Sequence, residues 1–108
     1  MSLPEVAEAL NIRLRDVRTL VSDQRLLATR PTGPLSISSD QLVDEDGTFT
    51  ILGNLRGTLT VLFDAGFTEE EADEWLHREE PELGQTPMSA LREGRHRAVR
   101  RIVAGLAF

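Results

Sequence analysis

Apolar residues recur along most of this chain at helical spacing. Val6, Ala7 and Leu10 fall on one helical face, and Ser2-x-x-Glu5 ahead of them fits a capping box with Pro4 in the first turn. Asn11 suits a left-handed turn. A second pattern follows at once, with Leu14, Val17, Leu20 and Val21 predicting a packed face. Its other side carries Arg15, Arg18, Thr19 and Ser22 at i, i+3, i+4 and i+7. Two short helices joined by a tight turn predict a helix-turn-helix. The period then changes. Leu26–Arg30 and Leu35–Ser38 flank Pro31-Thr32-Gly33-Pro34, which predicts a small β-hairpin with turn chemistry at its centre. Asp44-Glu45-Asp46-Gly47 reads as a charged connector over 44–49.

The rest reads as helices. Leu55, Leu59 and Leu62 share a face, Phe63 lies beside it, and Gly66 is placed to stop that helix. Thr68-x-x-Glu71 opens another, with Ala72, Trp75 and Leu76 on one side, and Pro81 is expected to end it. Thr86-Pro87 caps a short helix that should stop at Gly94. Ala98, Val99, Ile102, Val103 and Leu106 give the last helix the cleanest period in the chain. Trp75 falls on a core-type face and is read as core rather than as a base-stacking platform. The expected fold is therefore mainly α with a small β-hairpin: a helix-turn-helix with a wing over 1–43, a connector, and a helical bundle over 50–108.

Composition narrows the chemistry. The 108 residues suit one domain, or two very small ones. There is no cysteine, so disulfides, a Cys-ligated zinc site and a thiol nucleophile are excluded. Tyrosine is absent, and the two histidines are His77 and His96. The start lacks a basic n-region followed by an apolar core, and the apolar stretch from Ile102 is far too short to span a bilayer. The sequence predicts an intracellular, cytoplasmic protein.

Charge is unevenly spread. All twelve basic residues are arginine, against eighteen acidic ones, for a net charge of −6. Residues 1–43 hold five of each and are neutral, so the excess lies in 44–108. An acidic balance disfavours non-specific binding to nucleic acid or membranes, but it leaves room for a local arginine face.

Catalytic signatures are absent: there is no Walker loop, G-x-S-x-G or H-E-x-x-H. Glu74…His77 and Glu93…His96 have the i, i+3 spacing of di-iron bundles, but Gly94 interrupts the second pair. The acidic run from Asp64 to Glu82 reads as a solvated face rather than paired catalytic carboxylates. No metal, no cofactor and no enzymatic activity are expected.

The arginine face of the second helix supports a sharper reading. A recognition helix needs forked donors for guanine edges and phosphates, with small hydroxyls that allow close approach. Arg15, Arg18, Thr19 and Ser22 meet that need, and Arg13 and Arg25 flank the helix. Arg30 and Thr32 lie in the hairpin turn, where a wing would meet the backbone or the minor groove. Arg95, Arg97, Arg100 and Arg101 form a possible second basic patch; it also fits neutralisation of the acidic segment or an interface.

Leu3–Leu10, Asp16–Val21 and Leu26–Arg30 resemble the winged helix-turn-helix of excisionase and MerR-type DNA-binding domains. The whole chain resembles a small actinobacterial family of DNA-binding winged-helix proteins, through Leu55–Phe67, Trp75-Leu76 and the arginine-rich final helix ending at Ala104–Phe108. The C-terminal half is similar to the toxin-binding domain of the MbcA/ParS/Xre antitoxins at Trp75-Leu76, Pro81–Gly84, Thr86-Pro87 and Leu91–Gly94, with Glu82 where that group carries asparagine. These resemblances imply a duplex-DNA-binding regulator, transcriptional or chromosome-associated. They also imply a C-terminal half that dimerises or contacts a protein partner. The alternative is an interaction module, antitoxin-like or adaptor, whose helix-turn-helix is vestigial.

Overall fold

A computed structural model of the chain describes residues 1–106. Ala107 and Phe108, the last two residues of the family resemblance, lie outside the described residues. The chain divides into two compact units, Met1–Gly53 and a second beginning at Asn54.

The first unit opens with helix α1, Leu3–Leu10. Ser2 and Glu5 close the expected capping box: the Ser2 N–H donates to Glu5 Oε1 at 2.8 Å, and the Glu5 N–H donates to Ser2 Oγ at 3.2 Å. Asn11 takes the left-handed conformation at φ 57°, and the Ile12 N–H donates back to Ala7 O at 3.0 Å. The chain then turns into α2, Leu14–Ser22. Val6 and Ala7 of α1 and Val17 of α2 join Leu3, Leu26, Ala28, Ile37 and Leu42 in the core of this unit. Leu20 and Val21 pack against that core half-buried. Leu14 departs from the expected packed face: it starts the helix and stays 38% exposed.

Two antiparallel hairpins complete the unit. In the first, β1 (Ala28–Thr29) pairs with β2 (Ser36–Ile37). Its paired arms are shorter than the sequence suggested, and Ser2 bridges Ser36 alongside β2. The second replaces the expected connector. Residues 44–49 belong to β3 (Leu42–Glu45) and β4 (Thr48–Ile51), joined by Asp46 and Gly47 at φ 57° and 88°. Two successive positive φ values make the two-residue turn that matches strand twist, and Asp-Gly suits it. The Gly47 N–H also donates to Asp44 Oδ1 at 2.8 Å. With this hairpin included, residues 1–53 carry five arginines against eight acids.

Gln41 fixes the exit of α2 to the hairpins. It is fully buried in a 3-10 turn at Ser39–Gln41. Its Oε1 accepts from the Leu27 N–H at 2.8 Å, and its Nε2 donates to Leu27 O and to Ser38 Oγ, both at 2.9 Å. The side-chain amide thus takes the place of a strand neighbour for Leu27.

The second unit contains α3 (Leu55–Asp64), α4 (Glu69–Leu76), α5 (Pro87–Arg92) and α6 (His96–Leu106). Leu55, Leu59 and Leu62 are fully buried, as their spacing predicts. Thr68 and Glu71 form the second capping box, and Thr86 Oγ1 accepts from the Ser89 N–H at 3.1 Å. Gly66 and Gly94 end their helices at φ 96° and 83°. Trp75 is buried and meets Phe67 edge-on, with ring centroids 6.4 Å apart. Helix α4 stops at Leu76, well before Pro81. Residues Glu80 to Gln85 instead make a tight loop, bridged Glu80 to Gln85, with Gly84 at φ 69° and Leu83 buried. Among the described residues, six helices and two small hairpins make the protein mainly α with a small β part. Among the described residues no helix is long and apolar enough to cross a membrane.

Candidate nucleic-acid interface

Helix α2 brings its polar residues together as the spacing requires. At about 100° per residue, Arg18, Ser22, Arg15 and Thr19 span an arc of roughly 100° opposite the packed face. All four are exposed. Asp16 and Asp23 lie further round, beyond Thr19, so the two signs occupy separate stripes. Asp16 is also committed locally, because its Oδ2 accepts from the Arg13 N–H at 3.1 Å. That bond satisfies a free donor at the start of α2, where a carboxylate is favoured.

The guanidinium groups have no such commitments. Arg13, Arg15, Arg18 and Arg25 are exposed, and among the described residues none makes a side-chain hydrogen bond or ion pair. Each leaves five N–H donors to solvent. Thr19 differs: its hydroxyl donates to Arg15 O at 3.0 Å, so it offers a ligand its methyl and an oxygen lone pair rather than a proton. Ser22 keeps a free hydroxyl.

The first hairpin carries Arg30 and Thr32 in an exposed turn. Arg30 Nη1 donates to Gly33 O at 2.9 Å, which tethers the side chain across its own turn and leaves most of its donors facing outward. The second hairpin has the opposite character. Asp44, Glu45 and Asp46 form its tip, with Phe49 40% exposed on β4. A phosphate would be repelled there.

The arginines around α6 divide into two kinds. Arg95 Nη1 donates to Gln85 Oε1 at 2.8 Å and to Leu83 O at 3.2 Å, pinning the Glu80–Gln85 loop. Arg100 is half-buried. Its Nη2 donates to Asn54 O at 3.1 Å and its Nε to Thr58 Oγ1 at 3.5 Å. Gly57 makes room for this: a Cβ there would collide with the Arg100 guanidinium. These two side chains hold the unit together. Arg97 and Arg101 remain exposed, four residues apart on one face, and unpartnered among the described residues. Of the four arginines in the possible basic patch, Arg97 and Arg101 keep their donors uncommitted, Arg95 is exposed but bonded to Gln85 and Leu83, and Arg100 is half-buried.

The acidic segment is engaged locally as well. Glu71 caps α4, Glu74 faces Arg78 at 3.6 Å, and Asp73 lies 3.2 Å from His77 Nδ1. Glu74 and His77 are therefore turned to different neighbours. Among the described residues no group of three or more His, Asp or Glu is placed to hold a metal ion.

Similarity to known proteins follows both units. A family model for the C-terminal domain of Rv2175c, a domain of unknown function, matches residues 52–107. The NMR structure of Rv2175c, a mycobacterial protein, matches 99% of this chain and 80% of its own, with a TM-score of 0.86 and 27% sequence identity. No curated protein matches the chain significantly. The actinobacterial family expected from the sequence is supported by both matches.

Proposed function

The chain belongs to the family of the Rv2175c C-terminal domain, and from that premise we propose that it is a duplex-DNA-binding regulator whose first unit works as a winged helix-turn-helix. The observation that carries this reading is the free arginine face of α2. Arginines with no internal partner, on the outward side of the second helix of a helix-turn-helix, are arranged for an external anion. Arg15 and Arg18 reach guanine O6 and N7 in the major groove, where one fork meets two acceptors. Ser22 donates to a phosphate. Arg13 and Arg25 meet the backbone on either side, and Arg30 and Thr32 touch backbone or minor groove from the hairpin. The acidic second hairpin must then point away from the duplex. No enzymatic step, metal or cofactor enters this reading, and the site of action is the cytoplasm.

One α2 offers few base contacts, so specific affinity calls for two copies. A second reading, protein contact through the C-terminal unit, has an observation of its own. Val61, Ala65, Val103 and Ala104 line an open apolar groove between α3 and α6, rimmed by Asp64 and Arg100. Self-association there would supply the second copy. Sedimentation equilibrium over rising concentration would then show a monomer–dimer transition weakened by Ala104→Glu.

Fluorescence anisotropy of labelled duplex at several salt concentrations tests the DNA reading. With at most five arginines on phosphates, the slope of log K against log salt should be no steeper than about −4.5 per protomer. Absence of binding at low salt would overturn the reading and leave the interaction role.

A further inference from the structure

We infer that Leu14 is a base-reading residue, contacting the 5-methyl group of a thymine next to a guanine held by Arg15 or Arg18. This rests on the DNA-binding reading of α2 and assigns that site a sequence preference. The starting observation is a misfit. Val17 is fully buried and Leu20 and Val21 are half-buried, but Leu14, on the same predicted face, is 38% exposed.

Position gives the misfit a use. Leu14 is the first residue of α2. Long side chains in a helix lean toward its N-terminal end, and that end of a recognition helix approaches the base edges. Arg18 stands one turn above Leu14 on the same side of the helix, so a free guanidinium fork borders this exposed apolar side chain; Arg15 follows about 100° further round. In the major groove the matching apolar feature is the thymine methyl, and the matching acceptors are guanine O6 and N7. Leucine has no donor or acceptor. It therefore adds nothing to phosphate binding, and its effect is confined to thymine. Phe49, another exposed large apolar residue, sits on the acidic hairpin, paired across the strands with Asp44.

Replacing thymine by deoxyuridine removes that methyl and nothing else. A preferred duplex is first selected from a random pool with the full-length protein, and each thymine in it is then exchanged singly for deoxyuridine. Dissociation constants are measured by anisotropy for wild type and Leu14→Ala, with circular dichroism confirming equal helicity. One exchange should weaken wild type about fourfold, the worth of one buried methyl. The same exchange should leave Leu14→Ala unchanged, while both proteins keep the same salt slope. The inference is overturned if no exchange affects wild type, if Leu14→Ala retains the deficit, or if selection yields no preferred sequence. Failure of any duplex to bind would sink the underlying DNA reading as well.

Discussion

Helices α2 and α6 carry arginines at similar helical spacing, yet the fold treats them differently. In α2, Arg15 and Arg18 face solvent with no partner among the described residues. In α6, Arg100 turns inward onto Asn54 O and Thr58 Oγ1, across the bare Cα of Gly57. The difference lies in what surrounds each helix rather than in the arginines. A backbone carbonyl within reach, and a glycine that leaves space, make an arginine a structural clamp. Without them, its charge and donors are left for something outside the chain. Counting basic residues in a helix therefore overstates an anion site until the internal acceptors have been assigned.

The largest expected effect separates binding from folding. Arg15→Ala/Arg18→Ala should lose about 2–6 kcal/mol of specific DNA affinity, about thirtyfold or more on an anisotropy titration. Its melting temperature should hardly move, because neither side chain has a folded-state partner. Gln41→Leu should do the reverse. It leaves the buried Leu27 N–H and C=O unpaired and should cost the first unit about 2–3 kcal/mol in urea unfolding. Arg100→Ala removes the clamp from α3 and should cost about 1–2 kcal/mol, with DNA affinity unchanged. Arg97→Ala/Arg101→Ala sharpens the contrast within α6. Both side chains are exposed, so stability should stay within about 0.5 kcal/mol of wild type. An unchanged salt slope would restrict DNA contact to the first unit.

The smallest effect is at the foot of α1. Glu5 is held below the ordinary value of 4.5, first by the Ser2 N–H that it accepts and then by the Ser2 hydroxyl. A depressed carboxyl favours the folded state at pH values above 4.5, and that gain fades as pH falls through the lowered value. Glu5→Gln should therefore melt slightly below wild type at neutral pH, and the gap should close in acid.

Local chemistry was the legible part of the sequence. Ser2 with Glu5, Thr68 with Glu71, Thr86 and the two stopping glycines, Gly66 and Gly94, each act within one helical turn, so their neighbours in sequence suffice. The hairpin at 42–51 was hidden by charge. Asp44-Glu45-Asp46 resembles a linker, although Asp46-Gly47 is a strong two-residue turn signal. The early end of α4 depends on burying Leu83, which no helical period reveals. Gln41 and Leu27 are fourteen residues apart, and Arg100 and Gly57 forty-three apart, so their pairing needs the fold. The arginine face of α2 was readable because helical period alone places it. Leu14 was misread because period places a side chain on a face without showing whether anything covers it there.

Arginine Nε–H signals followed by NMR during titration with a selected duplex distinguish the two helices directly. The signals of Arg15 and Arg18 should shift strongly and that of Arg100 should stay in place. Shifts concentrated on the arginines of α6, with Arg15 and Arg18 unmoved, would contradict the assignment of α2 as the DNA-reading helix.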